Sequence, residues 1–138
     1  MPENHLAKRI AIVTGGARGI GLAAGRALAQ AGAQVLLADI DEKEVSSASA
    51  HLCSEGLIVT PCSVDIANSE STSNMVECAL KTYGSLDILV NNAAVSDNTP
   101  FETLSQERWK NVININLNGA YYCTKAALPA LKQSSTAA

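Results

Sequence analysis

Apolar residues fall in short blocks separated by longer stretches with helical spacing. Arg9-Ile10-Ala11-Ile12-Val13 runs without alternation and ends at Thr14-Gly15-Gly16. A strand covered on both faces reads this way, as in a parallel sheet. Ile20, Ala23, Ala24, Ala27, Leu28 and Ala31 then recur at helical spacing, and Gly32 follows where a helix C-terminus favours glycine. Val35-Leu36-Leu37-Ala38 is a second apolar block, closed by Asp39.

The alternation continues along the chain. Asp41 is placed to cap a helix through Ser54, with Val45, Ala48 and Leu52 inward and Gly56 as its stop. Leu57-Ile58-Val59-Thr60 begins a third strand that reaches Val64-Asp65. Asn68 or Ser69 caps the next helix, whose stripe is Met75, Val76, Ala79, Leu80 and Tyr83, ended by Gly84. Leu86-Asp87-Ile88-Leu89-Val90 is a fourth strand, followed by Asn91-Asn92-Ala93-Ala94. A long helix is predicted from Ser105 to Lys132, with Pro129 as a kink near its end. The tail from Gln133 to Ala138 shows no packing pattern.

The order βαβαβαβα with short connections predicts parallel strands and right-handed crossovers. The fold class is α/β, a doubly wound parallel sheet (Rossmann fold) with strand order 3-2-1-4. Strand four is then an edge, although it reads as buried on both faces. An apolar edge is a pairing hazard, so the chain alone is expected to be poorly stable and prone to associate.

Composition narrows the function classes. The 138 residues suit one domain, 47% of them are apolar, and the net charge is −3. Clustered Lys and Arg are lacking, which argues against a nucleic-acid partner. No apolar run approaches the length of a membrane span, and Met1-Pro2-Glu3-Asn4-His5-Leu6 has no signal pattern. The expectation is a soluble, cytoplasmic protein. Cys53, Cys62, Cys78 and Cys123 lack CxxC spacing and an accompanying His cluster, so they read as free, mostly buried thiols, with no metal.

The candidate chemistry sits after strand one. Thr14-Gly15-Gly16-Ala17-Arg18-Gly19-Ile20-Gly21 joins a strand to a helix, the context a dinucleotide-binding turn needs. Gly15 permits a tight turn, Gly19 a close approach to pyrophosphate, and Gly21 close helix–strand packing. The helix N-terminus offers N–H groups and a positive dipole end to phosphate. Asp39, 18 residues after Gly21, is placed to accept hydrogen bonds from the ribose hydroxyls of NAD and to repel the 2′-phosphate of NADP. Arg18 is a cation in the loop and argues the other way. The charge of Asp39 lies against the site itself, so NAD is expected over NADP.

The motif Thr14-Gly15-x-x-x-Gly19-Ile20-Gly21 resembles that of the short-chain dehydrogenases/reductases of the classical type. Asn91-Asn92-Ala93-Ala94 is similar to their NNAG, with Ala94 in place of the final glycine. Asp65-Ile66 matches the pair that touches adenine. Ile115-Asn116-Leu117-Asn118-Gly119 is similar to the segment carrying the family's catalytic asparagine, at Asn116. The likeness covers Lys8 to Lys132.

The resemblance implies that Asn92 and Ala93 lie beside the cofactor ribose and that Asn91 ties the central strands. It implies that Asn116 holds a water in a proton relay; the bland alternative is a surface or helix-bending amide. The family's serine, tyrosine and lysine lie beyond a fifth strand that this sequence does not reach. The domain is therefore expected to be incomplete at its C-terminus and inactive alone, the cofactor-binding portion of an enzyme acting on a small alcohol or ketone. A full-length form is expected to be a homo-oligomer. Tyr121 and Lys125 have Y-x-x-x-K spacing but lie too close behind Asn92 for the family's order; Tyr121, Tyr122 and Ala126 are expected to be buried or at a subunit contact. The competing readings are a naturally short, non-catalytic nucleotide-binding or interaction protein, and another Rossmann enzyme such as a methyltransferase.

Overall fold

The computed structural model describes residues 4–138; Met1-Pro2-Glu3 of the N-terminal segment lie outside the described residues. Four parallel strands, β1 (Ile10–Thr14), β2 (Gln34–Asp39), β3 (Val59–Ser63) and β4 (Ile88–Val90), form one sheet of order β3-β2-β1-β4. The crossovers are helices α1 (Gly19–Gln30), α2 (Glu42–Ser54) and α3 (Ser69–Tyr83). After β4, a short 3₁₀ turn (Phe101–Thr103) leads to α4 (Gln106–Ile113) and α5 (Gly119–Gln133).

The sheet has a core on each face. Ile10, Ile12, Leu36 and Ala38 pack with Met75, Val76 and Ala79 of α3 and with Cys123 and Ala127 of α5. Ala11, Val13, Val35 and Leu37 pack on the other face with Ala29 of α1 and with Val45 and Leu52 of α2. Alternate side chains of one strand thus feed two cores, which is why β1 and most of β2 read as unbroken apolar runs.

Capping follows the sequence. Asp41 accepts from the Glu44 N–H at 3.0 Å and Asn68 from the Ser71 N–H at 2.9 Å. Gly84 closes α3 in the left-handed region at φ 88°.

Four readings need correction. The face of α1 against the sheet is Gly21, Gly25 and Ala29, while Ile20 and Ala23 are exposed. A Cβ on Gly25 would stand 2.5 Å from Leu37 Cδ2, so this helix approaches the sheet on glycines. The third strand is only Val59–Ser63, alternating buried and open, with Pro61 tolerated because the strand is an edge. The predicted long helix is interrupted by a π turn at Asn114–Asn118. As expected, Pro129 falls near the end of this stretch, within α5, which closes at Gln133.

The fourth correction concerns β4 and the tail. All three residues of β4 are half-buried. Along that edge the Leu89 N–H donates to Ala138 O at 3.0 Å and the Ala138 N–H donates to Asp87 O at 2.9 Å. The tail therefore does pack, through bonds of the kind parallel strands exchange. Ser134 strengthens the dock by donating its hydroxyl to Asp87 Oδ1 at 2.6 Å.

Candidate functional site

A cavity of about 690 Å³ opens beyond the C-terminal ends of the strands. That volume suits a small ligand or cofactor. It lies where β1 is flanked by β2 on one side and β4 on the other, the switch point at which doubly wound sheets bind ligands. Eleven predicted cofactor residues line it: Gly15, Arg18, Gly19, Ile20, Gly21, Asp39, Asp65, Ile66, Asn92, Ala93 and Ala94. Four more residues complete the lining: Val95, which opens a loop the sequence already placed at the pocket's border, and Ile40, Val64 and Ile115, which sequence reasoning missed. Their signal was adjacency, since each directly neighbours a predicted residue. Ile20 and Ile40 are 81% and 73% exposed, large apolar side chains left at the rim of a concave site.

The glycines divide the work of the loop. A Cβ on Gly21 would lie 2.0 Å from Gly15 O and 2.5 Å from Asn92 Nδ2. That position is closed by the protein itself. Gly19 has φ +55° and would meet nothing within 4 Å. It sits at the head of α1, where first-turn N–H groups lack intrahelical acceptors. Open space above a glycine at a helix N-terminus is a cradle for an anionic group, and a pyrophosphate fits it.

Asp39 fixes the loop from β2. Its Oδ2 accepts from the Ala17 N–H and its Oδ1 from the Asp41 N–H, both at 3.1 Å. A carboxylate has about four lone-pair sites, so capacity remains for ribose hydroxyls. Arg18 donates from Nη2 to Glu44 Oε2 at 2.7 Å and to Asp41 Oδ2 at 3.3 Å.

Thr14 is buried beneath the loop and does not line the cavity. Its Oγ1 accepts from the Asn92 and Ala93 N–H groups at 3.1 Å and donates to Val90 O at 3.3 Å. The Asn92 amide donates to Thr14 O and Gly15 O at 3.1 and 3.2 Å. Asn92, not Asn91, thus ties β1 to β4. Successive side chains point to opposite sides, and Asn91 reaches Thr124 Oγ1 of α5 at 3.1 Å.

Asn116 lies in the π turn and does not line the cavity. Its Oδ1 accepts from the Val95 N–H and its Nδ2 donates to Val95 O, both at 2.8 Å. It therefore holds the segment that borders the cavity. A second anchor lies close by in the chain. Arg108 donates from Nε and Nη2 to the two Asp97 oxygens at 2.6 and 3.1 Å, and Thr99 adds two more donors. The Arg108 side chain and then Thr99 hold the Asp97 carboxyl well below the usual carboxylate range.

Tyr121 and Lys125 also stand outside the cavity. Tyr121 is 57% exposed rather than buried, and Lys125 Nζ donates to its hydroxyl at 3.2 Å. A larger hollow of about 960 Å³ runs along α4, lined by Asp97, Glu107, Arg108 and Lys110 among others. It brings none of the loop residues together. The four cysteines are free but not mostly buried: only Cys123 is buried, Cys62 and Cys78 are half-buried and Cys53 is exposed; burial pushes the Cys123 thiol up to about 11, and burial with Cys78 nearby does the same to Cys62. Among the described residues no helix is long and apolar enough to cross a membrane.

Comparison with known proteins agrees with this geometry. The short chain dehydrogenase family matches residues 9–138. An uncharacterized oxidoreductase of Thermotoga maritima is 39% identical over 85% of this chain and 46% of its own length. The 3beta-hydroxysteroid dehydrogenase 2 of Eggerthella lenta is 35% identical over 89% of this chain and 48% of its own length. The crystal structure of gox2181 superposes with a TM-score of 0.93 at 36% identity, covering 97% of this chain and 52% of that one. The chain spans about half the length of the curated relatives it matches.

Proposed function

The chain belongs to the short-chain dehydrogenase family, and from that premise we propose that it is the NAD(H)-binding portion of an oxidoreductase acting on a small alcohol or ketone. The observation that carries the proposal is the open space over Gly19 in the same cavity as Asp39. The first turn of α1 would take the pyrophosphate and Asp39 the adenosine ribose. Ile40, Val64 and Ile66 would give the adenine apolar walls, with Asp65 at its edge. Asn92, Ala93, Ala94 and Val95 would border the second ribose and the nicotinamide end.

Hydride exchange is the chemistry the cofactor supplies when bound. The residues of this chain bind and orient it. Asn116 acts on the site through Val95, and we assign its proton-relay role to the complete enzyme. The serine, tyrosine and lysine of that enzyme belong, in this reading, to sequence beyond the segment described. Tyr121 and Lys125 are not candidates for them, since neither lines the cavity. The name of the steroid dehydrogenase relative supports an alcohol or ketone substrate. Trp109, Leu117, Tyr121 and Leu128 expose apolar surface on α4, the π turn and α5, which supports pairing of full-length copies there.

Fluorescence titration of the purified chain with NADH tests the binding step. Saturable binding, weakened at least tenfold by Asp39→Asn, is the expected result. Absence of binding in the presence of a folded circular-dichroism spectrum overturns the proposal. The intact mass of the protein from its own source tests the second step. A mass far above 14.3 kDa agrees with a dehydrogenase. A mass equal to it favours a short, non-catalytic nucleotide-binding protein.

A further inference from the structure

We infer that Asp41 and Glu44 are selectivity determinants of the cofactor site, acting by holding Arg18 away from a 2′-phosphate. The inference rests on the NAD(H) reading above and asks what sets the choice of dinucleotide.

Arg18 is the only Lys, Arg or His among the residues that line the cavity. It is therefore the one lining group able to compensate a phosphate on the adenosine ribose. Its guanidinium is already engaged. Nη2 donates to Glu44 Oε2 at 2.7 Å and to Asp41 Oδ2 at 3.3 Å. Neither acid lines the cavity. Both belong to the start of α2, where Asp41 caps the helix through its other oxygen, Oδ1. The backbone on either side of this contact is fixed too, because Asp39 accepts from both Ala17 and Asp41. The loop and the head of α2 thus form one hydrogen-bonded unit, with Arg18 turned along it.

The charge balance follows. Arg18 with Asp41 and Glu44 sums to −1, and Asp39 beside them makes the region more negative. A 2′-phosphate brings about two negative charges. It would have to draw Arg18 from two carboxylates before gaining a counter-ion. NAD, with hydroxyls there, requires no such exchange. Arg18 is 64% exposed and its partners roughly 40%, so this is a weak, screened network. Its effect on selectivity is correspondingly moderate and falls with salt.

The test is a pair of titrations, with NADH and with NADPH, on the whole chain and three variants. Asp41→Asn keeps a capping oxygen while removing charge. The double variant Asp41→Asn/Glu44→Gln is expected to bind NADPH about fivefold more tightly relative to NADH, as a freed arginine gains a charge-assisted bond to phosphate. Adding Arg18→Gln should erase that gain, which a general loosening of α2 would not do. The gain should also shrink between low salt and about 0.5 M. An unchanged NADPH-to-NADH ratio in the double variant, with NADH still bound, overturns this inference alone. A gain that survives Arg18→Gln overturns it as well. Failure of the unaltered chain to bind either dinucleotide overturns the cofactor reading and this inference with it.

Discussion

β1 and β4 are neighbours in one sheet, both built from aliphatic residues, yet their settings differ. Every residue of β1 is buried, Ala11, Ile12 and Val13 completely, whereas all of β4 is half-buried. β1 has a strand on each side and a helix layer on each face. β4 has β1 on one side and only the bonds to Ala138 on the other. The difference extends into the site. On the β1 side the loop is shaped by backbone packing on glycine. On the β4 side the segment after Val90 is held by side chains, Asn116 on Val95 and Arg108 on Asp97. One wall thus adds excluded volume to its hydrogen bonds, while the other rests on hydrogen bonds that substitution removes.

The largest effects belong to the β1 wall. Gly21→Ala would put a Cβ 2.0 Å from a backbone oxygen, so the loop must move. A stability loss of about 2–3 kcal/mol and loss of NADH binding are expected. Gly19→Ala has room but must hold φ +55°. It should cost only about 1 kcal/mol while still blocking the cradle. Urea melts combined with NADH titration separate the two. Equal stability losses would break the contrast between a position closed by protein and one left open.

A smaller effect sits beneath β4. Asp87 accepts from the Ile10 N–H at 2.8 Å, from Ser134 and from Arg9. Burial pushes its carboxyl up, but Ser134, Ile10 and Arg9 together outweigh burial and hold it below the usual carboxylate range. A carboxylate with its pKa depressed on folding stabilises above its unfolded value of about 3.9, and that contribution is lost as pH falls through the folded value. Asp87→Asn should therefore lower Tm at pH 6–7, and the gap to the unaltered chain should close below about pH 4. A gap that persists undiminished at pH 3 would show that the charge of Asp87 is not what docks the tail.

Smaller again is the β4 wall of the site. Asn116→Ala removes two exposed hydrogen bonds to Val95. A cost of about 1 kcal/mol is expected, with faster hydrogen exchange confined to the segment after β4. Exchange unchanged at Val95 would mean that Arg108 and Asp97 suffice.

Much of this contrast was legible in the sequence, and the rest was not for physical reasons. Unbroken apolar runs identified β1 and β2 because both faces of those strands are covered. The same signal overstated β4, because an apolar run records which residues tolerate burial, not whether neighbours supply it. Gly15, Gly19, Gly21 and Asp39 were readable because their chemistry has a fixed place on a strand–turn–helix unit. Ile40 and Val64 carry no distinctive chemistry and become lining residues only through the fold. The π turn was hidden within helical spacing, since one turn of altered hydrogen bonding leaves composition untouched. The bonds of Asn116 to Val95 and of Arg18 to Asp41 and Glu44 cross 21 to 26 residues of chain, beyond the reach of any local pattern.

The smallest expected effect tests where the contrast ends. Tyr121 and Lys125 meet on the outer face of α5, at 3.2 Å between Nζ and the phenol oxygen and 5.5 Å from Nζ to the ring centroid. Both groups face solvent, so the pair is screened and its partners exchange readily with water. Tyr121→Phe keeps the ring and loses only the hydroxyl. It should change stability by less than about 0.5 kcal/mol and leave NADH affinity where it was. In the full-length enzyme it should also leave kcat within a factor of about two, because a phenol that does not line the cavity cannot exchange a proton with a substrate held there. A loss of kcat by orders of magnitude would instead place the reacting carbonyl against α5, and the cavity at the ends of the strands would then hold the cofactor without its chemistry.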